Sequence, residues 1–131
     1  MTEKDFTIRK YRPEDKENLI TVLYETSSMP IETEDQRLFL RLMFNDYYTD
    51  EEGDNCFVVA DADDEAVGYI LCAENYDNFR KIFNKEYLTR FKKTDIIGRA
   101  VAVLSTFIQA RLKKEYPAHM HIDILPEYQR M

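Results

Sequence analysis

The chain has 131 residues, of which 44% are hydrophobic and 13% aromatic, enough for the packed core of one domain and too apolar for a disordered segment. Its 25 acidic residues outnumber its 18 basic ones, and the net charge of −7 argues against a nucleic-acid partner, because phosphate binding needs a basic surface. Two isolated cysteines, a polar N-terminus and the lack of a long apolar run favour a cytoplasmic protein without a membrane partner.

The first part of the chain predicts a strand followed by two helices. Apolar and polar residues alternate over 6–11, and residues 12–15 combine a proline with two acids, as the first turn of a helix does. We expect that helix to end at 27–30. Thr33 and Gln36 have the spacing of a capping box, and apolar residues at helical spacing follow it to Tyr47.

A hairpin comes next. The valine-rich run 56–60 and the apolar run 66–73 predict two strands, joined by a polar turn over 61–65. Gly68 lies inside the second of these strands, where a glycine indicates a bulge or a close approach of another backbone.

The last part of the chain predicts two helices and a strand. An aromatic stripe from Phe79 to Phe91 indicates a helix that packs in the core, and a longer apolar stripe from Ile97 to Leu112 indicates a second helix. Residues 119–125 alternate strictly. The order of elements predicts a mixed α+β fold in which a predominantly antiparallel sheet is flanked by helices.

The final strand has a polar face and an apolar face. The polar face consists of His119, His121 and Asp123, and the apolar face contains Met120, Ile122 and Ile124. One of the three polar residues could act as a general base, since histidine titrates near neutral pH. The alternative is a polar strand face that only forms hydrogen bonds with neighbouring helices.

The same three polar side chains could also form a metal site, because two imidazoles and a carboxylate are zinc ligands. The HxHxD pattern resembles part of the motif of metallo-hydrolases of the β-lactamase type. That motif has a further histidine directly after the aspartate, where this chain has Ile124, and the chain has only two histidines. We therefore predict no metal.

The segment 119–131 resembles the central strand and following turn of the GNAT N-acetyltransferase superfamily, and is similar to acetyltransferase-like domains related to those attached to some O-GlcNAcases. In that family a Gln/Arg-x-x-Gly-x-Gly/Ala loop follows the strand, and residues 129–131 match its first three positions. Segments 6–14 and 56–73 resemble earlier strands of the family. The resemblance implies that residues 1–131 form a single domain, the N-terminal portion of an acyl-CoA N-acyltransferase fold that is truncated after its fourth strand.

The family transfers an acetyl group from acetyl-CoA to an amine, so the resemblance implies acetyl-CoA as cosubstrate and a small-molecule or peptide amine as acceptor. The backbone of Ile124 and Leu125 is implied to hold the pantetheine arm, while Gln129, Arg130 and Met131 are implied to begin the pyrophosphate loop. A glycine loop at a helix N-terminus binds phosphate through its backbone N–H groups. We therefore expect the 131-residue chain alone to be inactive.

The connection between the first two helices contains the predicted acceptor-binding residues Ser27, Ser28 and Glu32, because GNAT proteins often contact the acceptor there. The alternative is that the serines only form a turn.

A second function remains open, that of a non-catalytic, acidic protein-interaction module built on an acetyltransferase-like fold. The last strand is expected to form an open, hydrophobic sheet edge, which favours pairing with another chain. We expect self-association through this strand, as in a homodimer, unless the remaining half of the fold covers it.

Overall fold

The computed structural model describes residues 5–29 and 31–129, which form an antiparallel sheet flanked by helices. The elements in chain order are β1 (Phe6–Lys10), α1 (Lys16–Thr26), α2 (Glu34–Arg41), α3 (Tyr47–Glu51), β2 (Phe57–Asp61), β3 (Ala66–Ala73), α4 (Tyr76–Ile82), α5 (Ile96–Ala110) and β4 (His119–Ile124). A π-helical turn, Leu42–Asp46, joins α2 to α3, and a second one, Phe83–Tyr87, extends α4. The predicted fold class is confirmed.

The four strands lie in the order β1-β2-β3-β4, and each pair of neighbours is antiparallel. Among the described strands, β4 has one neighbour, β3, and so lies at the edge of the sheet, which confirms the open edge predicted for it. The apolar side chains Met120 and Ile122 of β4 are 62% and 64% exposed, whereas its polar face turns towards the helices.

Local sequence signals explain where the first helices begin. Thr33 accepts a hydrogen bond from the N–H of Gln36 over 3.2 Å, and the Gln36 side chain accepts one from the N–H of Thr33 over 3.0 Å, which confirms the capping box. Before α1, the carboxylate of Asp15 accepts two hydrogen bonds from Arg9 at 2.8 Å and one from the N–H of Arg12 at 2.8 Å. These bonds join the start of the helix to β1.

The core is unusually rich in aromatic rings. The predicted aromatic stripe is buried, and Phe79 meets Tyr47 edge-to-face at 4.7 Å between ring centroids and stacks on Phe83 at 5.3 Å. Such pairs stabilise a core beyond the area that they bury. This cluster fixes α3 and α4 next to His119, at the start of β4.

Helix α5 forms where the apolar stripe predicted it, but that stripe is not its buried face. Ile97 is 80% exposed, whereas Gly98, Ala102 and Thr106 are buried. These three small residues follow one another at a spacing of four, which lets the helix approach its neighbours closely. The hydroxyl of Tyr76 donates to the carbonyl of Thr106 and fixes this contact.

Gly68 combines both features that the sequence predicted for it. The register of β2 and β3 shifts between Val59 and Ala60, beside Gly68. A Cβ atom at Gly68 would lie 2.9 Å from Cγ1 of Ile124 and 3.1 Å from the carbonyl oxygen of Asp123. Glycine is therefore what allows β4 to lie this close to β3.

We expect Gly68→Ala to lower the free energy of unfolding by about 2 kcal/mol, because the added methyl group must push β4 away from a packed position. Urea unfolding measures this change. Gly53→Ala is the matched control, since its Cβ would meet only the Tyr11 ring, at 3.3 Å. Equal stability of the two variants would contradict a rigid contact between Gly68 and β4.

Candidate functional site

A pocket of about 290 Å³ lies between the end of α1, helix α2 and strand β4, and we call it the helix–strand pocket. It is lined by Leu23, Thr26, Ser27, Ser28, Met29, Leu40, Phe44, His121, Ile122 and Asp123. It therefore brings two predicted acceptor-binding serines together with two of the three candidate bases. These residues are almost a hundred positions apart in the chain, and the packing of α1 against β4 brings them together.

The connection after α1 supplies the serines but not the acid. The Ser27 hydroxyl accepts a hydrogen bond from the N–H of Met29 over 3.0 Å, so it also forms the turn that the alternative interpretation predicted. Ser28 is exposed at the pocket wall. Glu32 does not line the pocket, and its backbone N–H donates to the Gln36 side chain over 2.8 Å as part of the start of α2. Acceptor binding by these residues stays a prediction.

The polar face of β4 is held by two tyrosines. The Tyr48 hydroxyl lies 2.8 Å from Nε2 of His119 and 3.0 Å from Nε2 of His121. The Tyr69 hydroxyl donates to Oδ2 of Asp123 over 2.6 Å. His121 and Asp123 reach the pocket, whereas His119 lies behind them among the aromatic rings.

Burial sets the protonation of this face. It lowers the pKa of His121 to about 4, with the charge of His119 acting in the same direction. Burial also lowers the pKa of His119, although the carboxylate of Glu52 opposes that effect. The pKa of Tyr48 is raised well above its usual range, again by burial. At neutral pH the pocket thus contains an unprotonated imidazole that can accept a proton.

Tyr48 and Phe44 both contact His121, although neither was predicted as a site residue. The ring of Phe44 meets that of His121 at 5.0 Å between centroids, edge-to-face. The two residues lie four positions apart, on one face of the predicted helix. Their spacing was visible in the sequence, but their partner on β4 was not.

The end of β4 fits the predicted cofactor-binding role only in part. The N–H of Leu125 is already used, because it donates to the carbonyl of Val67 over 2.9 Å. The antiparallel pattern therefore turns the N–H of Ile124 away from β3, towards the open edge. The Ile124 carbonyl accepts a hydrogen bond from the Gln129 side chain over 3.0 Å. Two further predicted cofactor-binding residues lie outside the described residues, Arg130 and Met131.

Two larger pockets, of about 580 and 640 Å³, lie elsewhere and share Glu51, Glu52 and Glu74. We call them together the acidic groove. Their size exceeds that of the helix–strand pocket, but neither is lined by a predicted base or acceptor-binding residue. The helix–strand pocket is therefore the better candidate for chemistry.

Residues 5–29 and 31–129 contain no group of three or more His, Cys, Asp or Glu side chains placed to hold a metal ion. No helix in these ranges is both long and apolar enough to cross a membrane.

The fold is similar to that of a solved structure described as the crystal structure of SsHAT, with a TM-score of 0.78 and 24% sequence identity. The match covers 95% of this chain and 69% of that chain. At this level of identity the likeness shows the fold alone. No protein-family model matches the chain, and no curated protein matches it either.

Proposed function

We propose that this chain is part of a GNAT-type N-acetyltransferase that moves an acetyl group from acetyl-CoA to an amine, and that it is related to the acetyltransferase-like domains of O-GlcNAcases. One observation carries the proposal. The helix–strand pocket brings Ser27 and Ser28 next to His121 and Asp123, on the fold that the chain shares with SsHAT. The hydroxyl groups can bind a polar acceptor, and the imidazole can take its proton.

Acetyl transfer to an amine requires a bound amine and a group that accepts its proton. A free alkylammonium has a pKa near 10, so an imidazole whose pKa is about 4 does not deprotonate it. The neutral amine must therefore attack the thioester carbonyl first. Its nitrogen then carries a positive charge and a more acidic proton, which Nδ1 of His121 can accept.

The acceptor is a small or extended cationic amine in this proposal. A pocket of about 290 Å³ holds a side chain or a small molecule. The net charge of −7 attracts cations to the protein surface. For acetyl-CoA itself, the open edge at Ile124 offers a backbone N–H that the pantetheine arm can use.

Calorimetric titration of acetyl-CoA tests the proposal directly. We expect weak or undetectable binding by the 131-residue chain, and micromolar binding by any form whose reading frame continues past Met131 and supplies a glycine-rich phosphate loop. Tight binding by the 131-residue chain would show that the loop is not needed. No binding by either form would contradict the acetyltransferase proposal.

A protein-interaction module is the second candidate, and the exposure of Met120 and Ile122 on the edge strand favours it. An open strand edge can pair with a strand of another chain, and a second copy of this chain would give a homodimer through β4. If neither form binds acetyl-CoA, sedimentation that shows a dimer would support this candidate.

The proposed compartment is the cytoplasm. Cys56 and Cys72 are both free thiols, which is the usual state in a reducing compartment.

A further inference from the structure

The Tyr48 hydroxyl lies between two imidazoles, and we call these three side chains the His119–Tyr48–His121 array. Its distances to the two Nε2 atoms, 2.8 and 3.0 Å, are both those of hydrogen bonds. A hydroxyl has a single proton, so it donates to one Nε2 and accepts from the other. One histidine must therefore have its proton on Nε2 and the other on Nδ1.

Aromatic neighbours hold both imidazole rings in place. Phe79 meets His119 edge-to-face at 4.6 Å between centroids, and Phe44 meets His121 in the same way at 5.0 Å. A flip of either ring would place Cε1 where Nε2 now lies and break the bond with Tyr48. The packing therefore keeps Nε2 of both rings directed at the hydroxyl.

The environment of His119 determines which of the two Nε2 atoms accepts a hydrogen bond from Tyr48 and which donates one to it. Nδ1 of His119 is buried without a hydrogen-bond partner among the described residues, and so is Oε2 of Glu52. The negative charge of Glu52 favours a proton on His119, against the larger opposing effect of burial. A proton on Nδ1 satisfies that preference. Nε2 of His119 then accepts from Tyr48.

We propose that Tyr48 is a positioning residue that donates to Nε2 of His119 and accepts from the Nε2–H of His121, so that Nδ1 of His121 presents its lone pair to the helix–strand pocket. Nδ1 has no hydrogen-bond partner among the described residues, and the ring lines the pocket. His121 is then the catalytic base, and His119 and Glu52 act through Tyr48.

The proton step balances within this arrangement, which rests on the proposed function. Attack forms a C–N bond; one N–H bond of the positively charged amine nitrogen then breaks, and an N–H bond forms at Nδ1 of His121. The C–S bond of the thioester breaks as the amide forms, and the coenzyme A thiolate leaves and takes a proton from water. The imidazole becomes an imidazolium, while its Nε2–H stays hydrogen-bonded to Tyr48. The proton leaves from Nδ1 through the open pocket, which restores the neutral ring with the same tautomer.

The tautomers can be measured without any substrate. The chain has only two histidines, so long-range proton–nitrogen NMR correlations of ¹⁵N-labelled protein give four ring nitrogens to assign. At pH 7 we expect a protonated Nδ1 in His119 and a protonated Nε2 in His121. The opposite pair of tautomers would overturn the proposal, because His121 would then present an N–H to the pocket.

Two variants separate the parts of the array. Tyr48→Phe keeps the ring and removes the hydroxyl, and we expect His121 to show a mixture of both neutral tautomers. Glu52→Gln should weaken the preference of His119 for Nδ1–H. Tyr87→Phe is the matched control, because its buried hydroxyl bonds to Glu51 over 3.0 Å and touches neither histidine. A His121 tautomer that survives in Tyr48→Phe would show that Tyr48 does not fix it.

Kinetics then distinguish this proposal from the proposed function. In a form that acetylates amines, Tyr48→Phe is expected to lower kcat at least about tenfold with little change in KM, since proton acceptance and not binding is affected. If no form binds acetyl-CoA but the tautomers are as stated, the proposed function fails and the array stands. If acetylation occurs with the opposite tautomers, the function stands and the array fails.

Discussion

Replacement of His121 by glutamine is expected to lower kcat/KM for amine acetylation by about 10²- to 10⁴-fold, the usual contribution of a general base. Glutamine keeps a polar group near the Tyr48 hydroxyl and approximates the volume of the ring, but it cannot accept a proton at neutral pH. The measurement is steady-state kinetics across pH in whichever form of the protein binds acetyl-CoA. We expect KM for acetyl-CoA to change little, because the ring lines the helix–strand pocket and not the open strand edge.

Asp123→Asn is the informative comparison for this variant. Asp123 also lines the pocket, and its carboxylate accepts the Tyr69 hydroxyl over 2.6 Å. Asparagine retains a carbonyl acceptor for Tyr69, so we expect a smaller loss than for His121→Gln. A larger loss in Asp123→Asn than in His121→Gln would transfer the role of base to Asp123.

Local patterns predicted most of the elements, because each rests on residues close together in the chain. The capping box of Thr33 and Gln36, the alternation of 119–125 and the glycine at position 68 all describe contacts within a few residues or across one neighbouring strand. These signals need no knowledge of the tertiary arrangement. They therefore hold in the structure almost residue by residue.

The direction in which an amphipathic element faces could not be predicted in the same way. The apolar stripe of α5 is exposed, and the polar face of β4 is turned inward. Periodicity predicts that an element has two faces, but the choice between them depends on what each face meets. For β4 the inner face meets Tyr48 and Tyr69, whose hydroxyl groups satisfy the polar side chains.

Only part of the site was predicted from the sequence, because its residues meet through tertiary packing. The two serines and the polar residues of β4 were selected separately, one set from the resemblance and the other from strand alternation. Their meeting in one pocket follows from the packing of α1 against β4, which no local pattern specifies. Tyr48 belongs to a third element, α3, and so its hydrogen bonds with both histidines required the structure.

We also expect a large effect of pH on stability, because burial keeps His121 neutral in the folded state. Its pKa in the folded state is about 4, whereas an exposed histidine titrates near 6.5. Between pH 6.5 and pH 4, His121 binds a proton in the unfolded chain but not in the folded chain. The stabilisation is therefore complete above pH 6.5 and is lost as the pH falls towards 4, by about 3 kcal/mol in total.

The measurement compares wild-type protein with His121→Gln in urea unfolding at pH 7 and at pH 4. Carboxylates titrate in both proteins, so their contributions cancel in the difference. We expect the wild type to lose about 3 kcal/mol more than the variant. Equal losses would mean that protonated His121 finds a partner in the folded state, with Asp123 as the carboxylate beside it in the pocket.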